Sequence, residues 1–355
     1  MQCLICLRSR MLAATVAVTL LGSDSVAVGQ DRAGIVHTDI AASMSTAKLS
    51  MLFTGSTPNE CRTWQQTFGA KLNELLGESD PPEDWTVKEE SRAEFADHVR
   101  YEFLLEAKGV ASLPVYLLLP RSASRTAPVP AVMCIHGHGE FGHHPVVGRR
   151  DLEGVTKNID DHNYDYGLQF VRRGYAVVAP CMIPFGRRVD RGSYRGNDPC
   201  AVTFVRMQAL GRLPIAANLR DLRWSIDLLQ SRPEVDGTRI GCAGLSTGGR
   251  MTMMVTATDD RIRVAAVSGA LNLMQERMTN RYTFGSQVIP GLLNVGDYSA
   301  IGSLIAPRPC VWETGSVDDL IVPEWDDVFR SRLCRAYDAL GAADQLHFDR
   351  FEGDA

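Results

Sequence analysis

The stretch that most constrains the fold of this chain is residues 239–250, with the sequence R-I-G-C-A-G-L-S-T-G-G-R. Residues 240–243 are small and apolar, as expected for a parallel strand buried on both faces. Residues 244–248 match G-x-S-x-G, and residues 251–257 are compatible with a helix. A strand, a sharp turn and a helix around this motif predict a nucleophile elbow, in which the hydroxyl of Ser246 projects from a strained backbone.

The glycines of this stretch have a physical role in such a turn. A side chain two residues before or after the serine, at Gly244 or Gly248, would clash with the neighbouring strand and helix. The helix that follows would favour negative charge developing near Ser246. The alternative interpretation is an ordinary glycine-rich connection carrying an unremarkable serine.

Length and charge exclude several classes of protein. The chain has 355 residues, of which 45% are hydrophobic and 22% charged, so a large core is expected and disorder is not. A net charge of −5 without a long basic run argues against a nucleic-acid partner.

The amino-terminal residues have the pattern of an export signal. Arg8 and Arg10 precede an apolar run over residues 11–22, and Ala27 and Gly29 are small residues suited to cleavage. The run is too short to span a bilayer, so we predict a signal peptide over residues 1–29 and a secreted or periplasmic protein without stable membrane insertion.

Seven cysteines follow the predicted signal, and none forms a C-x-x-C pair. A zinc ribbon or a redox motif is therefore not indicated, and the sequence leaves open whether any two form a disulfide.

The remaining chain is predicted to form an amino-terminal helical extension over residues 30–98 and one larger domain over residues 99–355. A capping box at Thr57 with Pro58 begins a helix that Gly77 ends. From residue 99, strands alternate with helices, which predicts an α/β fold with a mostly parallel sheet covered by helices on both faces. The predicted strands cover residues 99–105, 114–119, 130–135, 175–179, 240–243, 264–268, 309–314 and 346–351.

Two segments are predicted to be loops. Residues 78–90 are acidic and contain proline, and residues 180–214 are rich in Gly, Arg and Pro without clear periodicity. Long loops in compact domains are usually functional, so we expect the second to form a wall or lid over the site.

A serine nucleophile needs an oxyanion hole, and its position follows from the chain order. The third predicted strand ends in His136-Gly137-His138-Gly139. The loop after this strand must supply one backbone N–H, for which His138 is the candidate, and Thr247 supplies the second. Each such donor contributes about 3 kcal/mol in comparable sites.

Two other interpretations of the same segment are disfavoured. Gly137, Gly139 and Gly142 spell G-x-G-x-x-G, but no helix start follows and no acidic residue ends a second strand at the usual distance. His136, His138, His143 and His144 lack the spacing of a metal site. We therefore expect neither a cofactor nor a metal.

The acid and the base of a Ser-Asp-His order should follow the nucleophile in the chain. Asp318 and Asp319 are adjacent candidates for the acid after the seventh strand: counting forward from Gly315 favours Asp318, and counting back from Pro323 favours Asp319, which we prefer. His347 is the only histidine after them, but it lies inside the last predicted strand, so it would have to leave the sheet to act as base.

With these residues assembled, the chain resembles the alpha/beta-hydrolase superfamily, and within it the dienelactone hydrolase and acetyl xylan esterase-like family. The resemblance rests on five segments: H-G-H-G at His136, R-R-G-Y-A-V-V-A-P at Arg172, R-P-E-V-D-G-T-R-I-G-C-A-G-L-S-T-G-G at Arg232, D-D-R-I-R-V-A-A-V-S-G downstream of it, and A-P-R-P at Ala306.

The resemblance implies a serine carboxylic-ester hydrolase that acts on small or carbohydrate-linked esters through an acyl-enzyme. It also implies a base histidine just after a segment similar to F-E-G, at or just past Ala355, followed by a closing helix that this chain does not contain. We therefore expect an alpha/beta-hydrolase fold with a truncated carboxyl-terminal end. The alternative function is a catalytically inactive or truncated relative, and a peptidase or thioesterase stays open because the sequence does not define the substrate pocket.

Overall fold

The computed structural model describes residues 36–280, 283–318 and 320–353. The predicted signal peptide, Asp319 and Ala355 lie outside the described residues.

One nine-stranded sheet forms the centre of the described chain, in the order β1-β2-β3-β5-β4-β6-β7-β8-β9. The strands are Thr86–Glu94 (β1), His98–Glu106 (β2), Leu113–Pro120 (β3), Val129–Ile135 (β4), Ala176–Pro180 (β5), Val235–Leu245 (β6), Ile262–Ser268 (β7), Cys310–Gly315 (β8) and Leu346–Phe351 (β9).

The described α-helices lie mostly between the strands. They are Val36–Ser45 (α1), Pro58–Leu76 (α2), Val155–His162 (α3), Tyr166–Arg172 (α4), Pro199–Gln208 (α5), Pro214–Ser231 (α6), Thr247–Thr258 (α7), Met274–Asn280 (α8), Leu292–Val295 (α9), Tyr298–Ser303 (α10) and Pro323–Ala339 (α11).

The sheet is antiparallel at one side and parallel at the other. Strands β1, β2, β3 and β5 pair antiparallel, whereas every pair from β5 through β4 to β9 is parallel. Parallel strands need crossover helices, and the carboxyl ends of β4, β6, β7 and β8 consequently meet at one edge. The predicted α/β class with a mostly parallel sheet is confirmed.

The first face of the sheet packs against α2, α6, α7, α10 and α11. Trp224 of α6 and Trp312 of β8 are fully buried in this core, together with Phe68 and Leu72 of α2. The capping box at Thr57 is present, as predicted. Because α2 contributes fully buried side chains, it belongs to the main core rather than to a separate extension.

The second face is covered by α3 and α4 over β3, β5, β4 and β6. Cys134 and Val177 pack there against Ile159 and Leu168 of the two helices. The same face is more open over β7, where Val264 is 47% exposed. Helices therefore lie on both faces, as predicted.

Three elements differ from the sequence prediction. β1 occupies part of the predicted acidic loop and joins the sheet inside the predicted extension. The predicted lid over residues 180–214 contains α5, whose first turn is capped by Asp198. A further helix, α3, precedes α4. The seven described cysteines are free thiols.

Candidate active site

Ser246 stands in the sharp turn between β6 and α7. Its backbone has φ 58° and ψ −116°, a conformation that costs a non-glycine residue about 1–3 kcal/mol. The Ser246 N–H donates to the carbonyl of Ser268 at 2.8 Å, and the Ser246 carbonyl accepts from Arg250 N at 2.9 Å. The hydroxyl makes no helix-capping hydrogen bond. The turn is therefore held by main-chain bonds, and the hydroxyl stays available.

The glycines around Ser246 are required by close backbone contacts. A Cβ at Gly244 would lie 2.5 Å from the Gly248 carbonyl oxygen, and one at Gly249 would lie 2.3 Å from the Ser268 carbonyl oxygen. A Cβ at Gly248 would lie 1.9 Å from the Ile135 carbonyl oxygen. Cβ atoms do not approach backbone oxygens this closely, so the sequence argument for the elbow has a direct steric basis.

A cavity of about 320 Å³ opens beside Ser246. Chain segments after β4, around α3 and after β8 line it together with the elbow. Its lining includes Gly137, His138, His162, Tyr164, Ser246 and Asp318.

The two predicted oxyanion donors lie at this cavity or directly beside it. His138 lines it, and Thr247 is the first residue of α7, next to Ser246. The Thr247 hydroxyl accepts a hydrogen bond from Gln287 Nε2 at 2.9 Å. No described residue accepts a hydrogen bond from the amide of His138 or of Thr247.

Asp318 is the described carboxylate of the cavity. It is buried between β8 and α11, and its Oδ1 accepts a hydrogen bond from Leu320 N at 2.9 Å. Asp319, which the sequence favoured as the acid, lies outside the described residues. The structure brings Asp318 to the Ser246 cavity.

His136 is a structural residue rather than a ligand. Met182 N–H donates to its Nε2 at 2.9 Å, so its Nδ1–H donates to the carbonyl of Gly137 at 2.7 Å. Complete burial lowers the pKa of His136 to about 4, which keeps the ring neutral. His136 thereby ties the loop after β4 to the loop after β5.

The next two histidines also have partners of their own. His143 Nδ1 bonds the Ala179 carbonyl at 2.9 Å, and His144 Nδ1 bonds the Tyr116 hydroxyl at 2.9 Å. Burial lowers the pKa of both rings.

The structure places a different group of possible metal ligands together. Atoms of His138, Asp198 and Cys200 lie within 4.8 Å of one another. Both Asp198 oxygens already accept amide hydrogens at the start of α5, and burial raises the pKa of the Cys200 thiol to about 11. Because both Asp198 oxygens are already used at the start of the helix, we assign no metal to this group. Sequence spacing could not reveal it, because His138 is remote from the other two.

The sequence offered His347 as the base, but the histidines that lie near Ser246 are two others. His138 and His162 line the cavity. The His138 ring stacks on Phe284 with 4.2 Å between centroids, and burial lowers its pKa while the Asp198 carboxylate opposes that effect.

His347 lies in β9 and is exposed. Its partner is Val311, near the start of β8, whereas β8 ends at Gly315. That register places it about 13 Å below the catalytic edge, since a strand advances roughly 3.3 Å per residue. The structure does not bring His347 to Ser246.

Two tyrosines that contact the end of β4 and the loop after it were missed by sequence analysis, and Tyr164 lines the cavity with Ser246. The Tyr164 hydroxyl accepts a hydrogen bond from Gly137 N at 2.5 Å, and the Tyr166 hydroxyl donates to the Ile135 carbonyl at 2.6 Å. Tyr166 holds the last residue of β4, and Tyr164 holds Gly137 in the loop that carries His138. The N-Y-D-Y-G segment at residues 163–167 is the signal that could have pointed to them.

None of the described helices is both long enough and apolar enough to cross a bilayer.

Comparisons with known proteins agree with this architecture. The model of the Dienelactone hydrolase family matches residues 143–280, which include α7 and the elbow. The "Putative hydrolase YtaP" of Bacillus subtilis (strain 168) is 29% identical over 282 residues, covering 77% of this chain and 88% of that protein.

Two solved structures are similar in fold. A "putative acetyl xylan esterase" from Bacteroides fragilis NCTC 9343 superposes with a TM-score of 0.74 at 19% identity, covering 88% of this chain and 81% of that chain. A glucuronoyl esterase from Solibacter usitatus superposes with a TM-score of 0.60 at 13% identity, covering 86% and 93%. With the strand order and the elbow, these similarities show an alpha/beta-hydrolase fold.

Proposed function

On this alpha/beta-hydrolase fold, with its match to the dienelactone hydrolase family, we propose that the chain is a serine carboxylic-ester hydrolase. The observation that carries the proposal is the backbone of Ser246, which is held at φ 58° in a glycine-lined turn and lines a cavity. Strained positions persist where the surrounding structure enforces them, and they cluster at active sites.

In this proposal Ser246 Oγ attacks the ester carbonyl and forms an acyl-enzyme, which water then hydrolyses. The amides of His138 and Thr247 bind the oxygen that becomes negative in the tetrahedral intermediate. Support comes from their position beside the nucleophile and from the absence of other acceptors for them among the described residues. The amino terminus of α7 adds a favourable field for that charge.

Asp318 is the acid that we assign, because it is buried and lines the cavity with Ser246. Its role is to orient the base and to stabilise it when protonated. Asp319 stays the alternative. For the base, the described chain offers the two cavity histidines, His138 and His162. The position of His347 argues against a role for that residue as the base.

Small or carbohydrate-linked esters are the proposed substrates. The cavity of about 320 Å³ is at the small end of the range for ligand sites, which favours a compact acyl group. The Bacteroides fragilis and Solibacter usitatus neighbours carry names of esterases that act on carbohydrates, which supports the same class. The proposed export, through residues 1–29, would place the protein where such esters occur.

The test is hydrolysis of p-nitrophenyl acetate by the purified chain, by Ser246→Ala and by Ser231→Ala. Ser231 is the matched control, because its hydroxyl bonds the Leu228 carbonyl within its own helix. We expect Ser246→Ala to lose at least about 10³-fold in kcat and Ser231→Ala to keep normal turnover. A pre-steady-state burst would support the acyl-enzyme. Equal turnover in all three proteins would show that Ser246 is not the nucleophile.

A second candidate is a catalytically inactive relative that keeps the fold. The distance of His347 from the catalytic edge favours it, because the histidine that the sequence offered as base is not at the site. A folded chain with no Ser246-dependent turnover would support this candidate.

A further inference from the structure

The Tyr164 hydroxyl occupies a defined place beside the nucleophile. It accepts the hydrogen of Gly137 N at 2.5 Å, and Tyr164 lines the same cavity as Ser246. Gly137 is the residue before His138, whose amide is the proposed oxyanion donor. The hydroxyl therefore bonds the residue next to the proposed oxyanion donor.

Gly137 shows how near the hydroxyl and the nucleophile are. A Cβ built on Gly137 would lie 2.7 Å from Tyr164 Oη and 3.4 Å from Ser246 Cβ. Both atoms thus flank one small space at position 137, which only a glycine leaves free. Tyr164 and Ser246 line the same cavity, which a substrate enters to reach the nucleophile.

The hydrogen of the Tyr164 hydroxyl is not used inside the described protein. Its oxygen acts as acceptor for Gly137 N–H, and no described residue accepts the O–H in return. Burial raises the pKa of Tyr164 to about 12, so the phenol keeps its proton at neutral pH. Accepting one hydrogen bond also polarises an O–H group and strengthens it as a donor.

We propose that the Tyr164 hydroxyl is a third donor of the oxyanion hole, next to the amides of His138 and Thr247. This inference rests on the proposed function. When Ser246 Oγ bonds the carbonyl carbon, the carbonyl π pair moves to its oxygen, and Tyr164 O–H donates a hydrogen bond to that oxygen without giving up its proton. The serine proton passes to the base and leaves with the alcohol, while the carbonyl re-forms and the ester C–O bond breaks.

Tyr166, the first residue of α4, provides a matched control. Its hydroxyl also contacts the end of β4, but it donates to the Ile135 carbonyl at 2.6 Å, so its hydrogen is already used. Tyr164→Phe and Tyr166→Phe remove the same atom from nearby tyrosines that hold the end of this strand or the loop after it.

We expect Tyr164→Phe to lower kcat for p-nitrophenyl acetate about 10²-fold, the effect of removing one oxyanion donor, with little change in KM. Tyr166→Phe should stay within about threefold of the unchanged chain. Equal losses in both variants would mean that the hydroxyls only hold β4 and the loop after it, and would overturn the assignment.

A second measurement separates the donor from the acceptor role of Tyr164. Replacing it with 3-fluorotyrosine makes the phenol more acidic, which strengthens it as a donor and weakens it as an acceptor from Gly137. A donor to the oxyanion predicts faster acylation than with tyrosine. A rate at or below that of the unmodified chain would overturn the proposal.

The inference can be separated from the proposed function by labelling with diethyl p-nitrophenyl phosphate, followed by mass spectrometry of Ser246. The phosphoryl oxygen of this reagent would take the position of the oxyanion. A labelled wild-type chain with labelling slowed at least tenfold in Tyr164→Phe supports both proposals. Equal labelling rates would overturn the Tyr164 assignment alone, and no labelling of Ser246 in a folded chain would overturn the serine hydrolase itself.

Discussion

Gly248 lies directly against the carbonyl oxygen of Ile135, so that a Cβ at position 248 would be 1.9 Å from that oxygen. The first turn of α7 and the end of β4 are therefore in main-chain contact. This contact brings Thr247, on the helix, to the loop of His138, after the strand. The proposed oxyanion hole depends on it.

Gly248→Ala should destabilise the fold and abolish activity. The added methyl group meets backbone rather than a flexible side chain, so we expect a loss of about 3 kcal/mol or more in the free energy of unfolding. Urea denaturation measures it. Gly139→Ala is the control, because a Cβ at Gly139 meets no atom within 4 Å. Two variants of equal stability would contradict the close contact.

Lowering the pH should destabilise the protein through His136. Its ordinary pKa of 6.5 falls to about 4 on burial, so between these values the unfolded chain binds a proton that the folded chain excludes. The stability that neutral His136 supports is complete above pH 7 and is lost as the pH falls toward 4. We expect a loss of about 2–3 kcal/mol at pH 4.5 from this residue.

The His136 contribution can be isolated with His136→Gln, whose amide does not titrate. Urea denaturation at pH 7.5 and pH 4.5 should show a smaller pH-dependent loss in the variant, since His143 and His144 remain in both proteins. If the free energy of unfolding falls by the same amount between the two pH values with and without His136, then folding does not prevent protonation of this ring.

Asp318→Asn should remove the acid of the proposed triad. An amide cannot stabilise a protonated base, and the loss of such an acid lowers kcat about 10⁴-fold in a serine protease. We expect a loss of about 10³- to 10⁴-fold in kcat for Asp318→Asn and tenfold or less for Asp319→Asn. The reverse order would assign the role to Asp319.

His347→Gln should leave ester hydrolysis within about threefold of the unchanged chain, because its register with Val311 holds it far from Ser246. His138→Gln and His162→Gln, measured beside it, test the cavity histidines. Loss of a base is expected to lower turnover by about 10⁵- to 10⁶-fold. A large effect of His347→Gln would require β9 to leave the sheet during catalysis.

Much of the fold could be predicted because its signals are local. The capping box at Thr57 and the buried apolar strands gave correct element types, and the predicted last strand, residues 346–351, has the same bounds as β9. The segment of β1 escaped detection because it is charged and almost entirely exposed, as suits an edge strand. A strand whose side chains are exposed on both faces shows no hydrophobic alternation.

The site was predicted in part for the same reason. The Ser246 elbow is encoded by five consecutive residues, so its strained turn follows from their sequence. Tyr164 comes to the site from a distant segment, and its position depends on where α3 and α4 pack. No spacing along the chain contains that information.

The sequence by itself determined the strand–turn–helix unit at Ser246, since only residues without side chains fit beside the serine in so tight a turn. It also determined the alternation that produces a parallel sheet. Only the tertiary structure decided which groups surround the nucleophile. Packing brought Asp318, Tyr164 and the loop of His138 to one cavity, and the register of β9 held His347 away from it, because hydrogen-bond pairing between strands fixes positions that the chain order leaves free.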